Sequence, residues 1–219
     1  MVFMLFLFAA MCMGFPPECS HGEQAQTAAP QTTEPAHTEA MKLDDGCDAL
    51  FYGDSITKGN HFDEFFPWLR IVDFGINGAT IEQLTERVPE VSACHPAKIF
   101  VMAGGNNLDS HNADKCVELF RGLLDSLREA CPDAEIFIES MLPIGKSMAL
   151  KYDCPNRTIR DFNKRLADLA DEYGMTYLDI YPEYEYLGGL NSEMTRDGIH
   201  LKEGCFGPWA EVLRPYLEP

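Results

Sequence analysis

The sequence predicts an α/β protein, a three-layer α/β/α sandwich around a five-stranded parallel sheet. Short apolar runs recur along residues 43–219. Stretches with a 3.6-residue apolar period lie between them. Alternation of the two at this spacing requires right-handed crossovers and helices on both faces of the sheet.

The elements follow in order. Ala49-Leu50-Phe51-Tyr52 reads as the first strand and Ile71-Val72-Asp73-Phe74 as the second. Lys98–Ala103 is the third, and its continuous apolar run suits a strand buried on both faces. Glu135–Glu139 is the fourth and Thr176–Ile180 the fifth. Between the third and fourth, Cys116–Ala130 places Val117, Phe120, Leu123, Leu124 and Leu127 on one helical face. Between the fourth and fifth, Ile159–Tyr173 does the same with Ile159, Phe162, Leu166, Leu169 and Ala170. Open sheets of this type bind ligands at the carboxyl ends of their strands.

Composition narrows the partners. The chain has 219 residues, with 35 acidic against 17 basic side chains and a net charge of −18. That balance excludes nucleic acid, whose binding is built on Lys and Arg. It also argues against anionic membrane surfaces. A content of 46 % apolar and 24 % charged residues excludes a disordered chain. Eight cysteines are too few for a disulfide-dense miniprotein, and the length is ample for a hydrophobic core.

The ends divide into segments. Met1–Phe15 is apolar apart from Gly14, with no charge before Glu18. It is too short to span a bilayer, and it matches the apolar region of a secretory signal. Residues 1–19 are therefore read as a signal, cleaved after Gly14 or processed as a lipoprotein at Cys12, with a buried N-terminal helix as the other reading. Residues 20–42 are a polar tether, since Ser20–Ala40 holds no Val, Ile, Leu, Phe, Trp or Tyr. Residues 43–219 form the folded domain. The expected location is secreted or cell-envelope, with membrane contact only through a lipid anchor.

Without Cys12 the remaining thiols are Cys19, Cys47, Cys94, Cys116, Cys131, Cys154 and Cys205, an odd number, so one stays free or pairs between chains. Cys94 and Cys131 precede successive strands and are either bridged or buried as free thiols. No CxxC or CxxH pair, no HExxH and no i, i+4 histidine pair occurs, so no metal site is expected. GxGxxG and Walker sequences are also missing.

Each strand end in the first half of the sheet carries a polar, Gly-containing segment. These are Gly53-Asp54-Ser55-Ile56-Thr57, Gly75-Ile76-Asn77-Gly78 and Gly104-Gly105-Asn106-Asn107, joined late in the chain by Asp197-Gly198-Ile199-His200-Leu201. Each alone reads as a turn. Together they supply the parts of acyl transfer. Ser55 is a weak nucleophile that needs a base, and His200 can serve. Asp197, three residues earlier, can accept from the other imidazole nitrogen and stabilise the imidazolium. The backbone N–H of Ser55, the backbone N–H of Gly78 and the side-chain amide of Asn106 can donate to an oxyanion. Asp54, Asn107 and Ile199 flank these positions and are assigned to substrate contact. Thr57 stands where the nucleophile elbow of an α/β-hydrolase requires Gly, which disfavours that fold.

This ordered set resembles the SGNH, or GDSL, hydrolase superfamily, from about Asp48 to Leu217. The resemblance implies a flavodoxin-like sandwich that hydrolyses esters or thioesters without a cofactor. Phe65-Phe66-Pro67, the segment 72–79, Tyr177-Leu178-Asp179 and the ending Asp197–Leu201 resemble the bacterial branch related to platelet-activating-factor acetylhydrolase subunits. Asn107 stands where that family usually has Asp, and Asn77 and Ala79 where Ser and Asp are frequent. Short connections without an inserted lid predict an open, shallow site for a short acyl group, with a small-molecule or glycan ester as partner. A thioesterase or lysophospholipase, an O-acyltransferase and a catalytically silent binding domain are the alternatives. Phe62, Phe65, Phe66 and Trp68 either line that site or pack the first helix onto the sheet, and Met148, Tyr152 and Tyr184 are open in the same way.

Overall fold

The fold is seen in a computed structural model, which describes residues 46–109 and 111–218. The signal and tether segments, 1–19 and 20–42, lie outside the described residues. In order the elements are β1 (Ala49–Gly53), α1 (Phe62–Phe65), β2 (Ile71–Gly75), α2 (Ile81–Glu86), α3 (Val88–Ser92), β3 (Lys98–Met102), α4 (Ala113–Ala130) and β4 (Glu135–Glu139). Then come α5 (Lys146–Lys151), α6 (Asn156–Tyr173), β5 (Thr176–Leu178), α7 (Tyr181–Tyr184), the hairpin β6 (Glu185–Tyr186) and β7 (Gly189–Leu190), and α8 (Gly207–Leu217).

The sheet is five-stranded and parallel, in the order β2-β1-β3-β4-β5. Alternation along each strand feeds two cores. Leu50, Tyr52, Ile99, Val101, Ile136 and Ile138 face a core closed by α2, α3, α4 and α6. Ala49, Phe51, Phe100, Met102 and Phe137 face a second core closed by α1 and α8. This is the predicted α/β/α sandwich. β1 is buried along its whole length, whereas edge strand β2 turns Asp73 outward.

The differences from expectation have local causes. α4 begins at Ala113 rather than Cys116, and α6 begins at Asn156, behind the extended backbone of Pro155. β5 stops at Leu178 rather than Ile180 because the Ser140 hydroxyl accepts from the Ile180 and Tyr181 amides, both at 2.8 Å. That takes those donors out of the ladder. The short helices and the hairpin span too few residues to give a periodic signal.

Phe62 and Phe66 are fully buried in the second core. There Phe62 packs edge-on against Trp209 of α8, so these two aromatics serve the core. Phe65 is partly buried against the same core and Trp68 is exposed. Cys94 and Cys131 are buried free thiols, as are Cys47, Cys116 and Cys154, while Cys205 is half-buried.

Candidate active site

The order 2-1-3-4-5 reverses direction between β1 and β3, and the crevice of such a sheet opens there, at the strand carboxyl ends. Ser55 sits in the turn after β1. Asp54 fixes that turn, because its Oδ1 accepts from the Ile56 amide at 2.9 Å. Gly53 lets the turn close. A Cβ there would lie 2.2 Å from Thr57 Oγ1 and 2.4 Å from the Met102 carbonyl oxygen.

The loop before α8 crosses to the same place. Ser55 Oγ lies 2.9 Å from His200 Nε2, and His200 Nδ1 lies 2.7 Å from Asp197 Oδ2. The other oxygen of Asp197 accepts from the Ile199 and His200 amides at 2.9 and 2.8 Å. Partial burial pushes the Asp197 carboxyl up. The His200 side chain and the two amides outweigh it and bring the carboxyl down to about 2. The loop is tied down by Thr195 Oγ1, which donates to the His200 carbonyl at 2.7 Å, and by the Gly145 amide, which donates to the Gly198 carbonyl at 2.7 Å. Asp197 thus carries a negative charge against Nδ1, and Nε2 is free to accept from a hydroxyl.

Gly78, after β2, and Asn106, after β3, line the same cleft as Ser55. Gly78 has φ +68°, a conformation that a side chain would strain. The Asn106 amide nitrogen donates to the Ala79 carbonyl at 3.0 Å and to Asp54 Oδ2 at 3.3 Å. Asp54 is buried, which pushes its carboxyl up to about 6 against the opposing influence of the Ile56 amide and the nearby His200 side chain.

Asp54, Asn107 and Ile199, assigned to substrate contact, also line the cleft. The polar atoms of Asp54 and Asn107 are already engaged by the protein. Tyr152 lines the cleft, Met148 is not among the lining residues, and Tyr184 is buried and donates to the Cys205 carbonyl. The cleft measures about 680 Å³. The cleft is also lined by the apolar Leu108, Met141, Leu142, Ile144, Cys154 and Ile159, which sequence reasoning missed. The usable signal is the apolar segment Met141-Leu142-Pro143-Ile144, which follows β4 at the carboxyl end of the sheet.

The sequence profile of the GDSL-like lipase/acylhydrolase family matches residues 51–203, from β1 past His200. The chain belongs to this family. It is an ester-hydrolysing enzyme of the acylhydrolase type. It is 25 % identical over 182 residues to the platelet-activating factor acetylhydrolase IB subunit alpha1 of Bos taurus, covering 78 % of this chain and 75 % of that one. A GDSL-like lipase from Bacteroides thetaiotaomicron superposes with a TM-score of 0.66 at 23 % identity, over 78 % of this chain and 87 % of that one. An acetylxylan esterase from Geobacillus stearothermophilus, solved as a catalytic mutant, gives 0.60 at 19 % identity, over 81 % and 97 %. At these identities the two structures speak for the fold.

Proposed function

We propose that the chain is a serine esterase, secreted or held at the cell envelope, that removes short acyl groups from neutral esters, carbohydrate esters included. The Ser55–His200–Asp197 hydrogen-bonded chain carries this reading. Ser55 Oγ attacks the ester carbonyl carbon as its proton passes to His200 Nε2. The carbonyl oxygen becomes an oxyanion, received by the Ser55 and Gly78 amides and Asn106. His200 returns the proton to the departing alkoxide, leaving an acyl-Ser55. Water then gives a proton to His200 as it attacks the acyl carbon, and His200 passes that proton to Ser55 Oγ as the acyl bond breaks, which releases the acid and restores Ser55 and neutral His200.

The charge of the cleft supports a neutral substrate. Among the described residues lining it, Asp54 and Asp109 are acidic and none is Lys or Arg. Coenzyme A thioesters and phospholipids bring phosphate, which such a wall does not attract. The name of the structural neighbour that acts on acetylated xylan agrees with an acetyl group on a sugar. One observation favours a second reading. The apolar wall from Met141 to Ile159 offers room for a longer acyl chain.

A series of 4-nitrophenyl esters from acetate to decanoate, run beside acetylated xylo-oligosaccharides, separates the two. The proposal expects the highest kcat/KM at acetate, release of acetate from the oligosaccharides, and no turnover in Ser55→Ala. Activity that climbs toward the long chains transfers the assignment to the second reading.

A further inference from the structure

The loops bearing Gly78 and Asn106 are stitched together by one side chain. Asn107 Oδ1 accepts from the Ile81 amide at 2.8 Å, in the first turn of α2. Its Nδ2 donates to Glu82 Oε2 at 2.7 Å. The rest of that turn is closed by a capping box. The Gln83 amide donates to Thr80 Oγ1 at 3.4 Å, and the Thr80 amide donates to Gln83 Oε1 at 3.0 Å. The Ile81 amide is left over, and Asn107 takes it.

The backbone of Asn107 is fixed independently. Its amide donates to the Gly104 carbonyl at 3.0 Å, and its carbonyl accepts from Asn112 Nδ2 at 2.7 Å. A side chain anchored in this way, with both ends of its amide used on α2, sets where α2 begins. Gly78 and Ala79 immediately precede that turn. The Ala79 carbonyl is also the acceptor that Asn106 Nδ2 uses.

We infer that Asn107, paired with Glu82, is a positioning residue that holds the Gly78 and Asn106 loops in register. The inference rests on the esterase reading above, in which those two loops receive the oxyanion. The pair works because an amide offers an acceptor to the backbone and a donor to a carboxylate at once. The bond to Asn107 is also the main influence holding the Glu82 carboxyl below its usual range. An aspartate at 107 would keep the Ile81 bond but set two carboxylates against each other. Glutamine at 82 would remove that clash and restore a donor.

The test is a double-mutant cycle, read as kcat and KM on 4-nitrophenyl acetate with Tm in parallel. Asn107→Asp is expected to lower kcat about tenfold, with KM within about twofold, because the register matters as charge develops in the transition state. Glu82→Gln, whose oxygen still accepts from Asn107, is expected to cost about twofold. The double variant should return to within about twofold of Glu82→Gln. If Asn107→Asp fails to fold, the mirrored pair serves. Glu82→Lys should slow kcat about fivefold, and adding Asn107→Asp should restore it. Purely additive losses, or a single Asn107→Asp variant with wild-type kcat, overturn the inference while leaving the esterase reading intact. Absence of ester turnover in the wild type, or turnover that survives Ser55→Ala, overturns both.

Discussion

Glu139 ends β4 inside the second core, fully buried. Its Oε1 accepts from Trp209 Nε1 at 2.8 Å, and its Oε2 has no partner among the described residues. Burial pushes this carboxyl up to about 8 from an ordinary 4.5, against the opposing Trp209 bond. The folded state therefore holds the proton more tightly than the unfolded chain does. The stability this side chain contributes is fully present below about pH 4.5 and is lost as pH rises toward about 8. One pKa unit corresponds to about 1.4 kcal/mol, so the loss attributable to this side chain approaches about 5 kcal/mol once it is ionised in both states. Glu139→Gln keeps an oxygen for Trp209 and removes the ionisation. Chemical denaturation of both proteins at half-unit steps from pH 5 to 9, at fixed ionic strength, isolates the effect. Other titrating groups cancel in the difference. The variant should gain on the wild type by roughly 1.4 kcal/mol per pH unit through the middle of that range, and the gain should flatten above about pH 8. For a domain of this size each kcal/mol is about 2–4 °C in Tm, so melting curves should diverge by on the order of 10 °C. Parallel stability curves, offset by a constant, would refute a buried neutral acid at this position.

Three further expectations are simpler to check. Asp197→Asn should lose about 10⁴ in kcat while the protein still folds, since it alters the imidazole it orients and not the core. Wild-type turnover in that variant would remove Asp197 from the site. Asp109 faces the cleft, so 4-acetoxybenzenesulfonate should be hydrolysed about five- to tenfold less efficiently than a neutral phenyl acetate, a gap that should shrink in Asp109→Asn and in high salt. Burial pushes the Cys47 thiol up to about 12 and those of Cys116 and Cys154 to about 11. Alkylation of the native protein at pH 8 followed by mass mapping should therefore modify Cys205 ahead of the five buried thiols, and early modification of Cys94 or Cys131 would contradict their burial.

What the sequence discloses follows from how local the cause is. The strands and the two long helices were readable because apolar periodicity over many residues has one physical origin, burial of one face. Ser55, His200 and Asp197 could be grouped from the sequence because a hydroxyl, an imidazole and a carboxylate in Gly-containing loops seldom coincide, and hydrogen bonds join the three in the structure. The roles of Phe62 and Phe66 were undecided because an aromatic near a site looks the same whether it meets a ligand or Trp209 of α8. The apolar wall was invisible for a related reason. Met141, Leu142 and Ile144 follow β4 as an ordinary apolar run, and only the sheet order brings them into the same cleft as Ser55. The Asn107–Glu82 pair spans 25 residues of sequence and two loops, and no local pattern encodes it.

The same distinction separates stability from activity at Asp54. Its two oxygens serve different ends, one closing the Ser55 turn on the Ile56 amide and the other reaching Asn106 Nδ2. Both hydrogens of that amide are thus engaged, one on Ala79 and one on Asp54, and under the esterase proposal above a substrate oxyanion draws on one of them. The longer bond, at 3.3 Å to Asp54, is the one that yields at least cost, while the 3.0 Å bond to Ala79 keeps the amide aimed. Asp54→Asn preserves shape and the Ile56 bond but sets one NH₂ group against another. We expect kcat to fall by about one to two orders of magnitude, with KM little changed. Stability should move the other way. The buried carboxyl sits at about 6 rather than 3.8, so the wild type loses up to about 3 kcal/mol as pH rises through that window. The variant, having no charge to bury, should be the more stable protein at pH 8 and no more stable at pH 4. A variant that is equally destabilised at both pH values would mean that Asp54 is a structural residue alone. Opposed changes in activity and stability at one position are the signature of a charge kept in the core for the sake of the site.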